Sequence, residues 1–144
     1  MVALLDVNVL VALAWPNHLH HGPAHAWFAR CHPGGWATCG ITETGFIRVS
    51  SNQRAIADAV SPMEAAEVLR AITKQEGHTF WLDDVRLLDQ PAATLARLTG
   101  HQQVTDAHLS SLAARHGGVL ATFDARLRQA AMPGARIKVI SPLV

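Results

Sequence analysis

Cysteine is scarce in this sequence, which contains only Cys31 and Cys39 among 144 residues. Small secreted proteins that depend on disulfides carry many more cysteines. A chain with 49% hydrophobic residues can build a core without such crosslinks. We therefore expect a reduced intracellular protein whose thiols are incidental, and a disulfide between them has no support.

Long apolar runs are also lacking. No stretch approaches the roughly 20 apolar residues that a membrane-spanning helix requires. The first thirteen residues have no basic start, and Asp6 interrupts their apolar run, so they do not resemble a signal peptide. We expect a cytoplasmic protein with no membrane partner.

Charge is low as well, because only 16% of the residues are charged and the formal net charge is +1. A strongly basic surface is therefore excluded, and any nucleic acid must be met by a local patch or by an oligomer. Because acidic residues number only 11, each acid that lies among apolar neighbours needs an explanation.

Short apolar segments alternate with helical patterns along the chain. The predicted strands cover residues 2–5, 36–39, 78–82, 119–123 and 137–140, and the predicted helices cover 7–14, 24–30, 41–50, 62–75, 91–100, 105–116 and 125–131. The clearest local signal is Ser61-Pro62-Met63-Glu64, which forms a capping box. Such alternation predicts an α/β fold with a mainly parallel central sheet covered on both faces, in a single domain over residues 1–144.

Two aspartates follow predicted strands directly. Asp6 comes after the apolar residues 2–5, and Asp124 comes after residues 119–123. The carboxyl ends of parallel strands share one edge of the sheet, where ligands bind. We therefore expect these two carboxylates to approach each other.

Helical phase adds two more acids. Asp106 precedes Leu109 by three residues, and Glu43 precedes Phe46 by three, so both lie on the apolar side of a predicted helix near its start. A single acid at such a position is usually a cap. Four acids at element ends that all point inward indicate a shared site.

Four converging carboxylates would raise one another's pKa unless a cation neutralises them. Mg²⁺ and Mn²⁺ prefer oxygen ligands, keep several waters and bridge to phosphate oxygens. Such ions can activate a water and stabilise a leaving oxygen, which is the chemistry of phosphodiester hydrolysis. The acids therefore predict a metal-dependent hydrolase.

These acidic segments resemble, in order and spacing, those of PIN-domain ribonucleases, and most of all the VapC-type toxins of bacterial toxin–antitoxin pairs. The resemblance is carried by residues 4–10 (LLDVNVL), 42–43 (TE), 104–109 (VTDAHL) and 121–124 (ATFD). It spans nearly the whole chain and implies a PIN-like α/β/α sandwich.

The resemblance also implies an activity and its partners. It indicates an Mg²⁺- or Mn²⁺-dependent endoribonuclease that acts on RNA, is held inactive by a cognate antitoxin protein and forms a homodimer. In that family pattern the catalytic and metal-binding acids are Asp6, Glu43, Asp106 and Asp124, with Asp6 and Asp106 as direct ligands. Asn8 and Thr105 match flanking polar positions that orient ligands or water.

Three arginines lie near these acids in sequence: Arg48, Arg126 and Arg128. They could hold RNA phosphates at the rim of the site, although solvated helix arginines are an equal alternative. The four tryptophans could stack on bases, but we favour core positions for Trp27 and Trp36.

Histidines concentrate in one short segment, namely His18, His20, His21, His25 and His32, with Cys31 nearby. The spacing of His21 and His25 is compatible with two zinc ligands on one helix face. No glutamate follows His21 in the HExxH sense, so we favour a polar surface, and a contact to RNA or antitoxin stays open.

Two other functions remain open from the sequence. A binding module with the same acidic pocket could hold RNA or an antitoxin arginine without turnover. An aspartyl-phosphate phosphatase would need a second aspartate two residues after its nucleophile, where this chain has Asn8.

Overall fold

The computed structural model describes residues 1–142. The strands are β1 (Ala3–Leu5), β2 (Trp36–Cys39), β3 (His78–Trp81), β4 (Val119–Thr122) and β5 (Ile137–Val139). The helices are α1 (Val7–Ala14), α2 (His21–Cys31), α3 (Gly40–Ser50), α4 (Pro62–Ile72), α5 (Ala92–Leu95) and α6 (Val104–Arg115). Turns of 3₁₀ helix cover His32–Gly34, Leu87–Asp89, His101–Gln103 and Ala125–Ala130.

The five strands form one sheet in the order β3-β2-β1-β4-β5, and every neighbouring pair is parallel. The predicted α/β fold with a mainly parallel sheet is therefore confirmed. Strand β1 is central, so its carboxyl end opens onto the middle of one sheet edge. In open parallel sheets, ligands bind at the carboxyl edge of the strands.

Successive residues of the central strands face opposite layers, as the two-residue period of a strand requires. Leu5 and Trp36 point into a core shared with α1 to α4, whereas Leu4 and Leu120 point into a second core formed with α6. Trp27 and Trp36 are buried, which confirms the preference for core positions.

Some predicted helices are shorter in the structure. The segment 91–100 keeps only the single turn α5, and because none of its residues is buried, tertiary packing does not extend the helix. Helix α4 ends at Ile72 rather than near residue 75, and the short helix predicted over 125–131 is a 3₁₀ turn. Among the described helices none combines the length and apolarity needed to cross a bilayer.

Helices α1 and α3 meet closely at Gly45. A Cβ built on Gly45 would lie 2.6 Å from Cγ2 of Val7, the first residue of α1. Valine is held to one rotamer in a helix and cannot turn away. The contact therefore fixes the start of α1, directly behind Asp6, against α3.

Gly45→Ala is expected to destabilise the protein by about 1–2 kcal/mol, because the overpacking cost exceeds the gain in helix propensity. Urea unfolding would measure the change. In a Val7→Ala background the same substitution should be neutral or stabilising, and equal destabilisation in both backgrounds would contradict this contact.

Candidate active site

Asp6 lies at the junction of β1 and α1, and it is only 9% exposed. Its Oδ1 caps α1 by accepting the backbone N–H of Val7 at 2.8 Å, and its Oδ2 accepts the hydroxyl of Thr122 at 2.8 Å. Burial raises the pKa of the Asp6 carboxyl, while these two hydrogen bonds oppose the rise and the charge of Asp124 adds to it. The Asp6 carboxylate is therefore held in a fixed position, and burial destabilises its negative charge.

Thr122, the last residue of β4, links the polar groups behind this carboxylate. Its hydroxyl donates to Asp6 and accepts from Nδ2 of Asn8 at 3.1 Å and from the backbone N–H of Asp124 at 3.1 Å. Oδ1 of Asn8 in turn accepts the N–H of Phe123 at 3.2 Å. Sequence reasoning did not assign Thr122 a role, although its position at the end of a buried strand was a usable signal.

Asp106 lies in the first turn of α6, with its side chain half-buried. Burial raises its pKa to about 6, with further contributions from the charges of Asp6 and Asp124 and a small opposing effect of Arg126. The Asp106 carboxylate makes no hydrogen bond within residues 1–142. Its oxygens are therefore partly buried, close to the charge of Asp6, and available as ligands for a cation.

Asp124 follows β4 and behaves differently. Its carboxylate forms a two-point ion pair with Arg126, with Nε to Oδ1 at 3.0 Å and Nη2 to Oδ2 at 3.1 Å. The hydrogen bonds from Arg126 hold the pKa of Asp124 below its usual value. Because the Arg126 side chain is 84% exposed, this ion pair lies at the open rim of the site.

The three aspartates line one pocket of about 420 Å³ at the carboxyl edge of the sheet, together with Asn8, His18 and Arg48. In residues 1–142 no three His, Cys, Asp or Glu side chains already form a complete metal-binding group. The donor set nevertheless fits Mg²⁺ or Mn²⁺. All the donors are oxygens, and a bound cation would relieve the raised pKa values of Asp6 and Asp106.

The structure does not bring Glu43 to this pocket, contrary to the expectation of four converging acids. Gly45 faces α1, whereas Glu43 lies about 200° around α3 from it. Oε2 of Glu43 accepts the buried hydroxyl of Thr38 at 2.6 Å, and Nε2 of His78 lies 2.8 Å from the same hydroxyl. Helical phase correctly placed Glu43 inward, but toward the β2–β3 side of the sheet.

Glu43→Gln is expected to change RNA cleavage by no more than about threefold, because the glutamine carbonyl can still accept the Thr38 hydroxyl. Steady-state kinetics on one RNA substrate would measure this. A loss as large as that of an Asp106 variant would show that Glu43 acts together with the pocket aspartates in solution.

The other polar residues differ in placement. Arg48 is exposed and lines the acidic pocket, and Arg128 is exposed on the 3₁₀ turn after β4. Thr105 is exposed and makes no hydrogen bond within the described residues, so an orienting role for it remains a prediction.

The histidines of residues 18–32 have different structural roles. Nδ1 of His21 and Nε2 of His25 each lie 2.8 Å from a carbonyl oxygen in the last turn of α1, those of Ala12 and Leu13. These rings therefore contact the helix end, and no third His, Cys, Asp or Glu within residues 1–142 completes a metal-binding group with them. His18 instead lines the acidic pocket, which the sequence did not indicate.

Comparisons with known proteins identify the family and the relatives of this chain. The model of the PIN domain family matches residues 3–132. Ribonuclease VapC39 of Mycobacterium tuberculosis is 50% identical over 134 residues, covering 93% of this chain and 96% of the relative. Ribonuclease VapC38 of the same organism is 48% identical over 124 residues, covering 86% of each chain.

Solved structures share the fold at low sequence identity. A chain in the crystal structure of VapBC2 from Rickettsia felis bound to a DNA fragment from its promoter superposes with a TM-score of 0.66 and 11% identity, covering 98% of this chain and all of that one. PAE2754 from Pyrobaculum aerophilum superposes with a TM-score of 0.59 and 22% identity, covering 94% of this chain and 82% of the other. With the match of the family model over residues 3–132, the chain belongs to the PIN domain family.

Proposed function

We propose that this protein is a metal-dependent endoribonuclease and the toxin of a toxin–antitoxin pair. The observation that carries the proposal is the shared pocket of Asp6, Asp106 and Asp124, in which burial raises the pKa of two carboxyls whose ionised forms a bound cation would stabilise. Its similarity to ribonucleases of the VapC type supports RNA as the substrate.

Asp6 and Asp106 are the proposed metal ligands, and Mg²⁺ or Mn²⁺ is the proposed ion. Thr122 and the N–H of Val7 hold the Asp6 carboxylate in place, and Asn8 fixes Thr122. A divalent ion bound at these carboxylates would supply a water of lowered pKa and would neutralise charge on the leaving oxygen. The expected products carry 5′-phosphate and 3′-hydroxyl ends.

Asp124 and the arginines have a supporting role in this proposal. Arg48 lines the pocket, and Arg126 is held at its rim by Asp124, so both present charge where an RNA phosphate would enter. Arg128 is exposed on the same 3₁₀ turn, two residues after Arg126, and is the third proposed phosphate contact. Contacts of these arginines with phosphates would position the RNA backbone but would not distinguish one base from another.

The proposed partners follow from the toxin assignment. We propose a cognate antitoxin protein, a homodimer and a cytoplasmic location, where RNA is available. The Rickettsia felis structure is named as VapBC2 bound to a DNA fragment from its promoter, and that name supports the first of these.

The test is cleavage of a mixed RNA pool by the purified protein with Mg²⁺, with Mn²⁺ and with EDTA. We expect cleavage with either metal, none with EDTA, recovery when metal is restored, and products with 5′-phosphate ends. Partner or RNA binding without metal-stimulated cleavage of any RNA would instead indicate a binding module.

A further inference from the structure

A second pocket adjoins the acidic one. It has a volume of about 320 Å³. Its lining consists of residues 15–18, which follow α1, and residues 55–58 of the loop between α3 and α4. His18, Ala55 and Ile56 line both pockets, so the two pockets are immediate neighbours.

The walls of this second pocket are held in place by contacts beneath them. The indole N–H of Trp15 donates to Oγ of Ser50 at 2.9 Å, and the Trp15 ring stacks on buried Phe46 with centroids 6.1 Å apart. The backbone N–H groups of Ala55 and Ile56 both donate to the carbonyl of Asn52. The pocket is therefore preformed, which lowers the cost of binding.

The pocket is lined by both apolar and polar groups, a combination that suits a flat heterocycle. Trp15 and Ile56 supply apolar surface, while Asn17 and Asp58 supply an amide and a carboxylate joined at 3.4 Å. A nucleobase offers π-faces to the apolar surface and ring or amino N–H groups to the carboxylate.

We propose that this pocket binds one unpaired nucleobase of the RNA substrate, next to the phosphodiester that the acidic pocket cleaves. The inference rests on the proposed nuclease function. The shared lining residues support RNA over a protein side chain, because a strand whose phosphate lies at the carboxylates has a neighbouring base close to this pocket. His18 lies between the two pockets. Its Nδ1 accepts the backbone N–H of His20 at 2.9 Å, so the proton of the neutral ring is on Nε2.

The test uses an RNA oligonucleotide whose wild-type cleavage bond has been mapped, and a series with one abasic replacement at each of three positions on either side. We expect kcat/KM of the wild type to fall by about 5- to 150-fold at one position, the loss that removing a stacked base causes. The other positions should change little.

Ala57→Phe places a ring in the pocket from an exposed loop residue. On the intact RNA it should show a loss similar to that of the abasic substrate, and on the abasic RNA it should add almost no further loss. Ala93→Phe, at an exposed residue of α5, is the matched control and should behave as wild type. Asp58→Asn should lower the preference among the four bases at that position, while thermal unfolding verifies that each variant is folded.

Three results would overturn the inference. They are wild-type cleavage that is indifferent to every abasic replacement, unchanged RNA cleavage by Ala57→Phe, and full additivity of the two changes. Unchanged RNA cleavage with weakened antitoxin binding would assign the pocket to the protein partner. If the wild type cleaves no RNA with metal, the proposed function itself fails, and the inference fails with it.

Discussion

Asp106→Asn is expected to lower metal-dependent RNA cleavage by about a thousandfold or more, with Asp6→Asn causing a loss of the same order. Asparagine keeps the shape of the side chain but removes the negative charge that holds a cation. Both aspartates line the acidic pocket, and burial raises the pKa of each carboxyl, with the charges of Asp6 and Asp124 adding to the rise at Asp106. Initial rates on a labelled RNA at saturating Mn²⁺ would measure the loss.

A matched control comes from an exposed carboxylate outside the pocket. Asp89 has a side chain that is 72% exposed, and Asp89→Asn should cleave RNA as the wild type does. Equal thermal stability of the variants would separate a chemical effect from unfolding. Undiminished cleavage by Asp106→Asn would contradict the assignment of this pocket as the active site.

Metal affinity is expected to fall by about tenfold between pH 7 and pH 5. The metal ligand is the ionised carboxylate, and the pKa of Asp106 is raised to about 6, so a proton competes with the metal below that value. Protonation of Asp6 would add to the loss. Isothermal titration calorimetry with Mn²⁺ at the two pH values would measure the change, and a pH-independent affinity would contradict it.

Folding stability without metal should show the opposite trend. The pKa of Asp106 rises from 3.8 in the unfolded chain to about 6, so its favourable contribution is complete below 3.8 and is lost as pH rises through 6. At pH 7.5 the metal-free protein should therefore gain about 1–2 kcal/mol of stability from Asp106→Asn, a range reduced for partial exposure. Urea unfolding in EDTA would measure the gain, and saturating Mn²⁺ should reverse the order of stability.

The central strands of the sheet were predictable from the sequence because they are buried on both faces. Residues 2–5 and 119–123 form apolar runs too short for helices, and the buried strands β1 and β4 occupy them. The Ser61 capping box likewise located the start of α4, where Oγ of Ser61 accepts the N–H of Glu64 at 3.1 Å. The sequence could not locate the helix ends as well, because packing and loop contacts decide them.

Three acids of the site were placed correctly at the pocket by simple rules. Asp6 and Asp124 followed from strand ends, and Asp106 followed from helical phase. Glu43 did not, because phase shows that a side chain points inward but not which neighbour it meets. In α3 the neighbour is Thr38 on β2, and the side facing the pocket carries Arg48 instead.

The histidines show another limit of sequence reasoning. The spacing of His21 and His25 was compatible with zinc ligands, although a polar surface was favoured. It did not predict that both rings contact carbonyl oxygens at the end of α1, nine residues or more before them in sequence. The pocket role of His18 depends on a loop more than thirty residues away in sequence, at Ala55 and Ile56. Contacts of that separation leave no local pattern.

Anomalous scattering from crystals grown with Mn²⁺ tests the central claim most directly. We expect a manganese peak in the pocket between Asp6 and Asp106, and no peak there in crystals of Asp106→Asn. A peak beside Glu43 and His78, or a pocket without manganese in well-ordered wild-type crystals, would contradict the claim that these aspartates form the metal site.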